Sequence, residues 1–166
     1  MKRWYVAHTQ VYGESKAEDH LRAQGFSVYI PRIKTLRRHA RKVETILAPL
    51  FPRYIFVGFD VEQDRWKAID STRGVSYLLR HEEKPLSVPT GVVEELQEQE
   101  DEQEGLSLSS LALFKRGERV EVLDGVFAGH VGVFEEMTTH ARVQLLLSCL
   151  GREVKVALPI HTIKAA

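Results

Sequence analysis

The sequence has a single cysteine and no long apolar run in its 166 residues. Cys149 has no second cysteine with which to form an intramolecular disulfide, as is usual in a reducing cytoplasm. No stretch approaches the roughly 18 apolar residues of a membrane span. The N-terminus has the basic start of a signal peptide, but the His-Thr-Gln of residues 8–10 interrupts the apolar run that should follow. We therefore expect a cytoplasmic, unexported protein without a membrane partner.

The spacings typical of catalytic and metal sites are missing as well. The seven histidines never lie three or four residues apart, so they predict no zinc site. Gly125, Gly129 and Gly132 are not followed by the Lys and Ser or Thr of a phosphate-binding loop, and we interpret them as tight turns. Cys149 could act as a nucleophile with a distant histidine, but its leucine neighbours favour a buried core thiol. The sequence thus predicts no enzyme, no metal ion and no cofactor.

Net charge is also missing, since the formal sum is zero, but the charges are segregated along the chain. Residues 1–53 carry 11 basic and 4 acidic side chains, whereas residues 94–104 carry seven acids and no base. The densest basic run holds six cations and no acid: Arg32, Lys34, Arg37, Arg38, Arg41 and Lys42. Such a run suits phosphate contacts in a nucleic acid, the alternative being a solvated basic hairpin without a ligand. A second candidate surface lies on the first predicted helix and the turn before the fourth strand: Lys16, His20, Arg22 and Arg73.

Strand and helix signals alternate over the N-terminal part. Aromatic and β-branched residues predict strands at residues 4–9, 27–30, 54–59 and 75–80. A helix is expected over residues 15–24, because Ser15 and Glu18 form a capping box and Gly25 supplies a stop. Further helices are expected over residues 63–70 and from Pro89 onward. This order is typical of a ferredoxin-like α+β sandwich, in which helices cover one face of an antiparallel sheet.

The third predicted strand is apolar on both of its sides. Alternation places Ile55, Val57 and Phe59 on one face and Tyr54 and Phe56 on the other. If helices cover only one face, these two aromatic side chains are exposed on an open face and mark a partner site, which Trp4 and His8 of the first strand could join. The alternative is that the tail or a loop covers that face.

The acidic run passes into a Ser/Leu-rich stretch, and this change of composition predicts a domain boundary. Beyond it, short valine- and leucine-rich patterns punctuated by glycines predict a five-stranded SH3-like β-barrel. The strand positions are Val120, Val122, Val131, Val133, Val143, Leu145, Leu147, Val154, Val156 and Leu158. We expect an N-terminal domain over residues 1–97, a flexible acidic linker over 98–113 and the barrel over 114–166.

Both halves resemble the NusG family of transcription elongation factors. The N-terminal resemblance rests on WYV at residues 4–6, LFPRYIFV at residues 50–57 and TRGV at residues 72–75. KRGERV at residues 115–120 and DGVFAGHVGV at residues 124–133 resemble the KOW motif of the family, and GRE at residues 151–153 falls at its last turn. The basic connection at 32–42, AR at residues 141–142 and LLL at residues 145–147 resemble the specialised RfaH-type branch.

The resemblance implies an NGN domain joined to a KOW domain in a transcription elongation and antitermination factor that has no active site and suppresses pausing. It implies that the clamp helices of the largest RNA polymerase subunit bind Trp4, His8, Tyr54 and Phe56. The non-template DNA strand would contact Lys16, His20, Arg22, Arg37, Arg38, Arg41 and Arg73. The KOW domain would recruit a ribosomal protein of the NusE type or termination factor Rho through Phe127, His130 and Leu150. We expect a monomer that regulates particular operons rather than a general factor.

Two rival functions and one conformational alternative stay open. KOW segments also resemble parts of ribosomal proteins, which makes a ribosome-associated RNA-binding protein the alternative function, although the balanced charge disfavours it. An enzyme on a ferredoxin-like scaffold would need a convergent polar pocket, which the sequence does not offer. RfaH-type proteins can hide the clamp site beneath a C-terminal segment refolded as a helical hairpin, whereas Val143, Val154 and Val156 favour the barrel.

Overall fold

The computed structural model describes residues 1–100, 105–106, 119–122, 131–133, 146 and 163–165. Up to residue 100 the elements are, in chain order, β1 (Arg3–Thr9), α1 (Glu14–Ala23), β2 (Ser27–Tyr29), β3 (Arg32–His39), β4 (Lys42–Pro49), β5 (Tyr54–Phe59), a 3₁₀ helix (Trp66–Ser71), β6 (Val75–Leu78), β7 (Arg80–His81), β8 (Lys84–Pro85) and α2 (Val92–Gln99). The main sheet is antiparallel in the order β2-β5-β1-β6. This is the split β-α-β order of a ferredoxin-like sheet.

The first face of the sheet packs against α1 and the 3₁₀ helix. Ala17 and Leu21 share one side of α1, four residues apart, and both are buried. They join the inward residues of β1 and β5 in one cluster, in which the rings of Tyr5 and Phe59 stack with centroids 4.0 Å apart. The predicted placement of Ile55, Val57 and Phe59 on one common face is confirmed.

The sequence predicted the C-terminus of helix α1 correctly but not its N-terminus. It begins at Glu14 with Gly13 as its N-cap, so the capping role expected for Ser15 is wrong. Its C-terminus is the expected glycine stop, because Gly25 has a φ of +91°, its N–H bonds to the carbonyl of Arg22, and the N–H of Phe26 bonds to the carbonyl of Leu21. This pair of hydrogen bonds is a Schellman motif.

The second face of the sheet is largely covered, which agrees with the alternative that the sequence left open and not with the open face that it favoured. We call it the aromatic face, and it carries Trp4, Val6, His8, Tyr54, Phe56 and Tyr77. Helix α2 covers part of this face with Val93 and Leu96, while Leu50 and Phe51 from the segment before β5 and Val88 cover more of it. Phe56 is consequently only 1% exposed. A second apolar cluster therefore fills the space where the sequence predicted a solvent-exposed surface.

Several boundaries also differ from the predicted ones. The fourth predicted strand ends at Leu78, and the chain then forms the small β7–β8 hairpin. The last predicted helix begins at Val92 rather than at Pro89.

The basic connection is a regular hairpin, in which β3 and β4 pair over eight residues each. Its turn residues Ala40 and Arg41 both have positive φ, as a two-residue turn joining twisted strands requires.

Three strands are described near the C-terminus: β9 (Arg119–Val122), β10 (Val131–Val133) and β11 (Ile163–Ala165), paired antiparallel in the order β10-β9-β11. The first two strands lie where the sequence predicted them, whereas β11 was not predicted. Leu146 is helical, so the strand expected through residues 145–147 is wrong at that position. The other predicted strand positions, at residues 143 and 154–158, lie outside the described residues. The division into domain, linker and barrel stays a prediction.

Candidate interfaces for protein and nucleic acid

Three aromatic rings adjoin at one end of the aromatic face. The register pairs His8 of β1 with Tyr54 of β5 on one side and with Tyr77 of β6 on the other. The imidazole of His8 stacks on the ring of Tyr77 at a centroid distance of 4.9 Å and contacts Tyr54 edge-on at 5.0 Å. Tyr77 is 45% exposed, so this group of His8, Tyr54 and Tyr77, the aromatic trio, reaches solvent. A partially exposed aromatic cluster of this kind is typical of protein-binding surfaces.

The environment of His8 keeps its imidazole neutral. Burial lowers the pKa of His8 below 6.5, and the nearby Arg53 guanidinium lowers it further. Arg53 is held in place by its Nε–H, which donates to the carbonyl of Thr9, and by its backbone N–H, which donates to Glu14. In the described part of the chain, Nδ1 of His8 is buried without a hydrogen-bond partner. The aromatic trio is therefore an uncharged surface with a fixed cation beside it.

The other two predicted polymerase-binding residues, Trp4 and Phe56, pack against or within the second apolar cluster. Trp4 lies on the same face as His8, two pleats away, and is half-buried against the second apolar cluster. Phe56 is buried in that cluster, where the rings of Phe51 and Tyr29 lie about it at centroid distances of 6.1 Å. The expectation that Phe56 is exposed is thus wrong.

Two residues from beyond α2 complete the cover of the aromatic face. Leu106 and Leu146 are both buried in the second cluster. Leu106 is fixed by its N–H, which donates to the carbonyl of Arg32, and by a parallel bridge to Ile33. The arrangement favoured from the sequence, a separate barrel, does not predict that residue 146 packs with the N-terminal sheet. Leu146 therefore lies at the aromatic face, which the sequence predicted to be a binding site.

The structure brings the α1 surface and the Arg73 turn together, as the sequence grouped them. Gly74, with a φ of +89°, lies so close to α1 that an added Cβ would be 2.6 Å from the backbone nitrogen of Ala17. The side chain of Gln24 bridges the carbonyl of His20 and the hydroxyl of Thr72. Lys16 and Arg73 are exposed and His20 is half-buried. These residues can form one cationic surface.

Arg22 differs from the other cations of this surface because its guanidinium has structural partners. It forms an ion pair with Glu18 at 3.1 Å and donates to the carbonyl of Val28 at 2.8 Å. These contacts tie α1 to β2. Arg22 therefore has less freedom to meet a phosphate than Lys16 or Arg73.

The three predicted hairpin cations lie in different places on the hairpin. Arg37 and Arg38 are adjacent in β3, so they point to opposite faces, and Arg41 lies in the turn. Glu44, the only acid of β3 and β4, is paired across the strands with Arg37. All three arginines are exposed. The hairpin thus presents positive charge on both faces and at its tip.

Sequence reasoning missed two exposed tyrosines beside these surfaces. Tyr77 was missed because only the β1–β6 register places it against His8. Tyr12, which is 95% exposed with a φ of +56°, lies in the turn before α1. An aromatic residue in a predicted β-α turn was the signal that could have indicated it.

The remaining sequence predictions concern the C-terminal part and bound groups. Phe127, His130 and Leu150, the predicted contacts of the KOW domain, lie outside the described residues, as does Cys149. Among the described residues, no three His, Cys, Asp or Glu side chains group as metal ligands would. No helix in the described ranges is long and apolar enough to cross a membrane.

Proteins with curated descriptions match this chain over nearly its whole length. A "Transcription termination/antitermination protein NusG" from Deinococcus radiodurans is 29% identical over 93% of this chain and 94% of that protein. The protein of the same description from Thermus thermophilus is 26% identical over 98% of both chains. Among solved structures, one described as "Domain interaction in Thermotoga maritima NusG" covers 99% of this chain and 97% of that chain at 20% identity, with a TM-score of 0.41. The family model of the transcription termination factor NusG matches residues 2–97, more than half of the sequence, and the chain therefore belongs to the NusG family of transcription factors.

Proposed function

We propose that this protein is a transcription elongation and antitermination factor that binds the clamp helices of RNA polymerase through its aromatic face and the non-template DNA strand through its basic surfaces. It acts without an active site, by bridging the clamp and suppressing pausing, in the cytoplasm and as a monomer. The observation that carries the proposal is the aromatic trio, a partly exposed uncharged surface in the part of the chain that the NusG family model matches.

The aromatic trio supports the protein-binding part of the proposal. His8 and Tyr54 were expected there, and Tyr77 extends the surface toward solvent. Aromatic side chains bury a large apolar area when they are covered by a partner, and each one contributes roughly 1.5–3 kcal/mol. The polymerase helices would therefore gain most of their contact energy at this end of the face.

Trp4 and Phe56 can contact the polymerase only if the second apolar cluster opens. Because residues of α2 lie in the same cluster as Phe56 together with Leu106 and Leu146, a helical partner can reach Phe56 only after part of this cover has moved. The present arrangement thus supports weak binding through the aromatic trio and stronger binding through the uncovered face. Replacement of Leu146 by Asp should expel it and raise the affinity for polymerase.

Purified RNA polymerase core enzyme without nucleic acid tests the interface. Tyr77→Ser in the full-length protein should weaken binding about tenfold, as expected for the loss of one aromatic contact of about 1.4 kcal/mol. Tyr12→Ser is the matched control, because Tyr12 is equally a surface tyrosine but lies outside the aromatic face. Equal affinities of wild type, Tyr77→Ser and Leu146→Asp would remove the support for this surface.

The hairpin and α1 surfaces support the nucleic-acid part. Each phosphate that a cation neutralises on a single strand adds about 0.7 to the slope of log affinity against log salt concentration. Replacing Arg37, Arg38 and Arg41 by Gln should therefore reduce the slope by about 2. Removal of Lys16 and Arg73 should give a separate, smaller reduction.

A triple variant elsewhere on the surface controls for net charge. Arg65, Lys67 and Lys84 are exposed cations outside both basic surfaces. If their replacement by Gln lowers the salt slope as much as the hairpin triple variant, the effect is that of total charge and the hairpin has no specific role.

Two finer parts of the proposal rest on the sequence resemblance. Recruitment of a NusE-type ribosomal protein or of Rho through Phe127, His130 and Leu150 is tested by nuclear magnetic resonance titration of the full-length protein with each purified partner. An operon-specific role is tested by chromatin occupancy across the genome. Occupancy confined to a few long operons would support that role, and occupancy of most genes would favour a general factor.

A further inference from the structure

The turn between β1 and α1 carries two neighbouring apolar side chains that no function assigned above uses. Tyr12 is 95% exposed and Val11 is 62% exposed. We call these two residues the turn pair. Almost the whole surface of the Tyr12 side chain is left to solvent, so the ring does not contribute to the core of the protein.

The backbone of this turn is held on both sides by hydrogen bonds. The Gln10 N–H donates to the carbonyl of Gly74 at 2.9 Å, and the Gly13 N–H donates to the carbonyl of Gln10 at 2.8 Å. The carbonyl of Gly13 accepts the N–H of Ala17 in α1 at 2.9 Å. The Tyr12 ring is thus presented on a fixed backbone, which lowers the entropy that a partner has to offset when it orders the ring.

Tyr12 has a backbone conformation that its packing does not explain. Its φ is +56°, in the left-handed region, which is unfavourable for a residue with a bulky side chain. A side chain that is left in solvent gains no burial to offset this strain. Strained residues of this kind are typical of binding sites. The combination of strain and exposure therefore indicates a residue that binds rather than one that stabilises the fold.

Three exposed cations lie on the segments next to the turn. The turn is hydrogen-bonded to Gly74, the residue that follows Arg73. The Nε–H of Arg53 donates to the carbonyl of Thr9, at the end of β1. Lys16 lies in the first turn of α1. Two of these cations, Lys16 and Arg73, belong to the α1 surface that is proposed above to bind DNA.

An exposed aromatic ring beside cations suits a single-stranded nucleic acid. Unpaired bases stack on aromatic side chains whatever their sequence, and the phosphates between them are neutralised by Lys and Arg. A duplex offers no free base faces, because its bases are stacked on one another. The turn pair therefore favours a strand whose bases are unpaired.

The neighbours of the turn pair disfavour a protein at the same place. Protein-binding surfaces are continuous patches with an apolar centre. The turn pair is preceded by Gln10 and followed by Gly, Glu, Ser and Lys at residues 13–16. Two apolar side chains among polar neighbours can cover one base, whereas a protein partner needs a wider apolar area.

We propose that Tyr12 stacks on one unpaired base of the DNA strand that the α1 surface binds, while Lys16 and Arg73 neutralise the neighbouring phosphates. Val11 extends the apolar contact along the same nucleotide. This inference deepens the proposed function and rests on its nucleic-acid part. It adds a contribution to DNA affinity that salt does not screen, and it restricts this contact to a strand with unpaired bases.

The test measures the binding of full-length variants to a labelled single-stranded DNA oligonucleotide of mixed sequence over a series of salt concentrations. Tyr12→Ser should lower the affinity about fivefold or more, the loss expected for one base stacked on an aromatic ring. Its salt slope should stay that of wild type, because a neutral ring releases no counterion. Tyr12→Trp should bind at least as tightly as wild type. Tyr77→Ser is the matched control, because Tyr77 is an exposed tyrosine outside the α1 surface, and it should bind DNA like wild type.

An oligonucleotide of the same length that lacks its bases separates stacking from charge. It presents the same phosphates, so wild type and Tyr12→Ser should bind it with equal affinity. Lys16→Gln should weaken binding to both oligonucleotides and lower the salt slope by about 0.7.

Four results would overturn the inference. The first is wild-type affinity of Tyr12→Ser for the intact oligonucleotide. The second is an equal loss of affinity for the intact and the base-free oligonucleotide, which would mean that the ring does not act through bases. The third is weaker binding of Tyr12→Ser to RNA polymerase core enzyme without nucleic acid, which would make the partner a protein. The fourth is tighter binding to an RNA of the same sequence that Tyr12→Ser abolishes, which would make the strand an RNA.

The same measurements separate this inference from the proposed function. If Lys16→Gln lowers the salt slope and Tyr12→Ser keeps the wild-type affinity, only the stacking assignment fails. If the wild-type protein does not bind the single strand at all, both fail together.

Discussion

The Tyr29 hydroxyl donates a hydrogen bond of 2.6 Å to Oε2 of Glu100, which joins β2 to the residue that follows α2, 71 positions away in the chain. The other oxygen of the same carboxylate accepts the backbone N–H of Arg32 at 2.9 Å. Burial, followed by the bond to Glu100, raises the pKa of Tyr29, so the hydroxyl keeps its proton over the whole physiological range. A single carboxylate thus fixes the end of α2 at the base of the β3–β4 hairpin and holds the cover of the aromatic face.

Removal of this hydroxyl should destabilise the N-terminal domain. Tyr29→Phe keeps the ring packed near Phe56 but removes a hydrogen bond to a charged acceptor, which is worth about 1.5–3 kcal/mol. Urea unfolding followed by tryptophan fluorescence measures the loss. Tyr12→Phe is the matched control and should stay within about 0.5 kcal/mol of wild type. Equal stability of the two variants would show that the Glu100 contact does not fix α2.

Phe56 should act as a core residue in the free protein. Because it is buried against Phe51 and the residues of α2, Phe56→Ala should cost about 3–5 kcal/mol of unfolding free energy. Leu36→Ala, which shortens an exposed side chain, should change the stability by less than about 0.5 kcal/mol. A loss below about 1 kcal/mol for Phe56→Ala would mean that the cover of the aromatic face is open in solution.

Local patterns in the sequence were sufficient for the main sheet. Alternation in residues 54–59 correctly divided the strand between two faces, and Gly25 with Phe26 correctly marked the end of α1. Both are short-range signals, since side-chain direction in a strand and the glycine of a Schellman motif depend on adjacent residues.

Residues that depend on long-range pairing could not be predicted in the same way. Tyr77 becomes part of the aromatic trio only through the register of β6 against β1. Leu106 and Leu146 join the cluster that contains Phe56 from far along the chain, and neither position has a local pattern that specifies a contact with the sheet. The sequence favoured an open aromatic face because the ferredoxin-like order of elements predicts helices on one face of the sheet only. It does not specify which segments pack against the other face.

Acid should destabilise the wild-type protein partly through His8. Its folded-state pKa lies below the unfolded value of 6.5, so below about pH 6.5 the unfolded chain binds more protons and stability is lost as the pH falls toward the folded pKa. His8→Phe keeps a ring against Tyr77 and removes this titration. Urea midpoints at about pH 7.5 and about pH 5 should show a larger loss for wild type than for His8→Phe. Identical losses would mean that His8 is solvated.

The turn of the β3–β4 hairpin should become more stable when Ala40 is replaced by Asn. Ala40 and Arg41 have φ of 46° and 66°, a region that costs an L-residue other than Gly, Asn or Asp about 1–2 kcal/mol. Ala40→Asn should slow hydrogen exchange of the amides in the Leu36 and Thr45 pair, whereas Ala40→Val should accelerate it. Faster exchange in the Asn variant would indicate a different turn in solution.

Gly74 should tolerate no side chain, because it joins the Arg73 turn to α1. Gly74 and Gly25 have nearly the same φ, +89° and +91°, so an alanine at either position carries a similar backbone strain of about 1–2 kcal/mol. The Cβ at residue 74 would also meet the backbone of α1 at 2.6 Å, whereas among the described residues nothing lies within 4 Å of a Cβ at residue 25. Overpacking against a rigid helix adds about 1–3 kcal/mol, so Gly74→Ala should lose that much more stability than Gly25→Ala in urea unfolding.

The clash can be relieved only by moving the turn away from Ala17, so Gly74→Ala should also reduce the salt slope that Lys16 and Arg73 share in DNA binding, and Gly25→Ala should not. Equal stabilities and equal slopes for the two variants would show that the turn and α1 do not act as one surface.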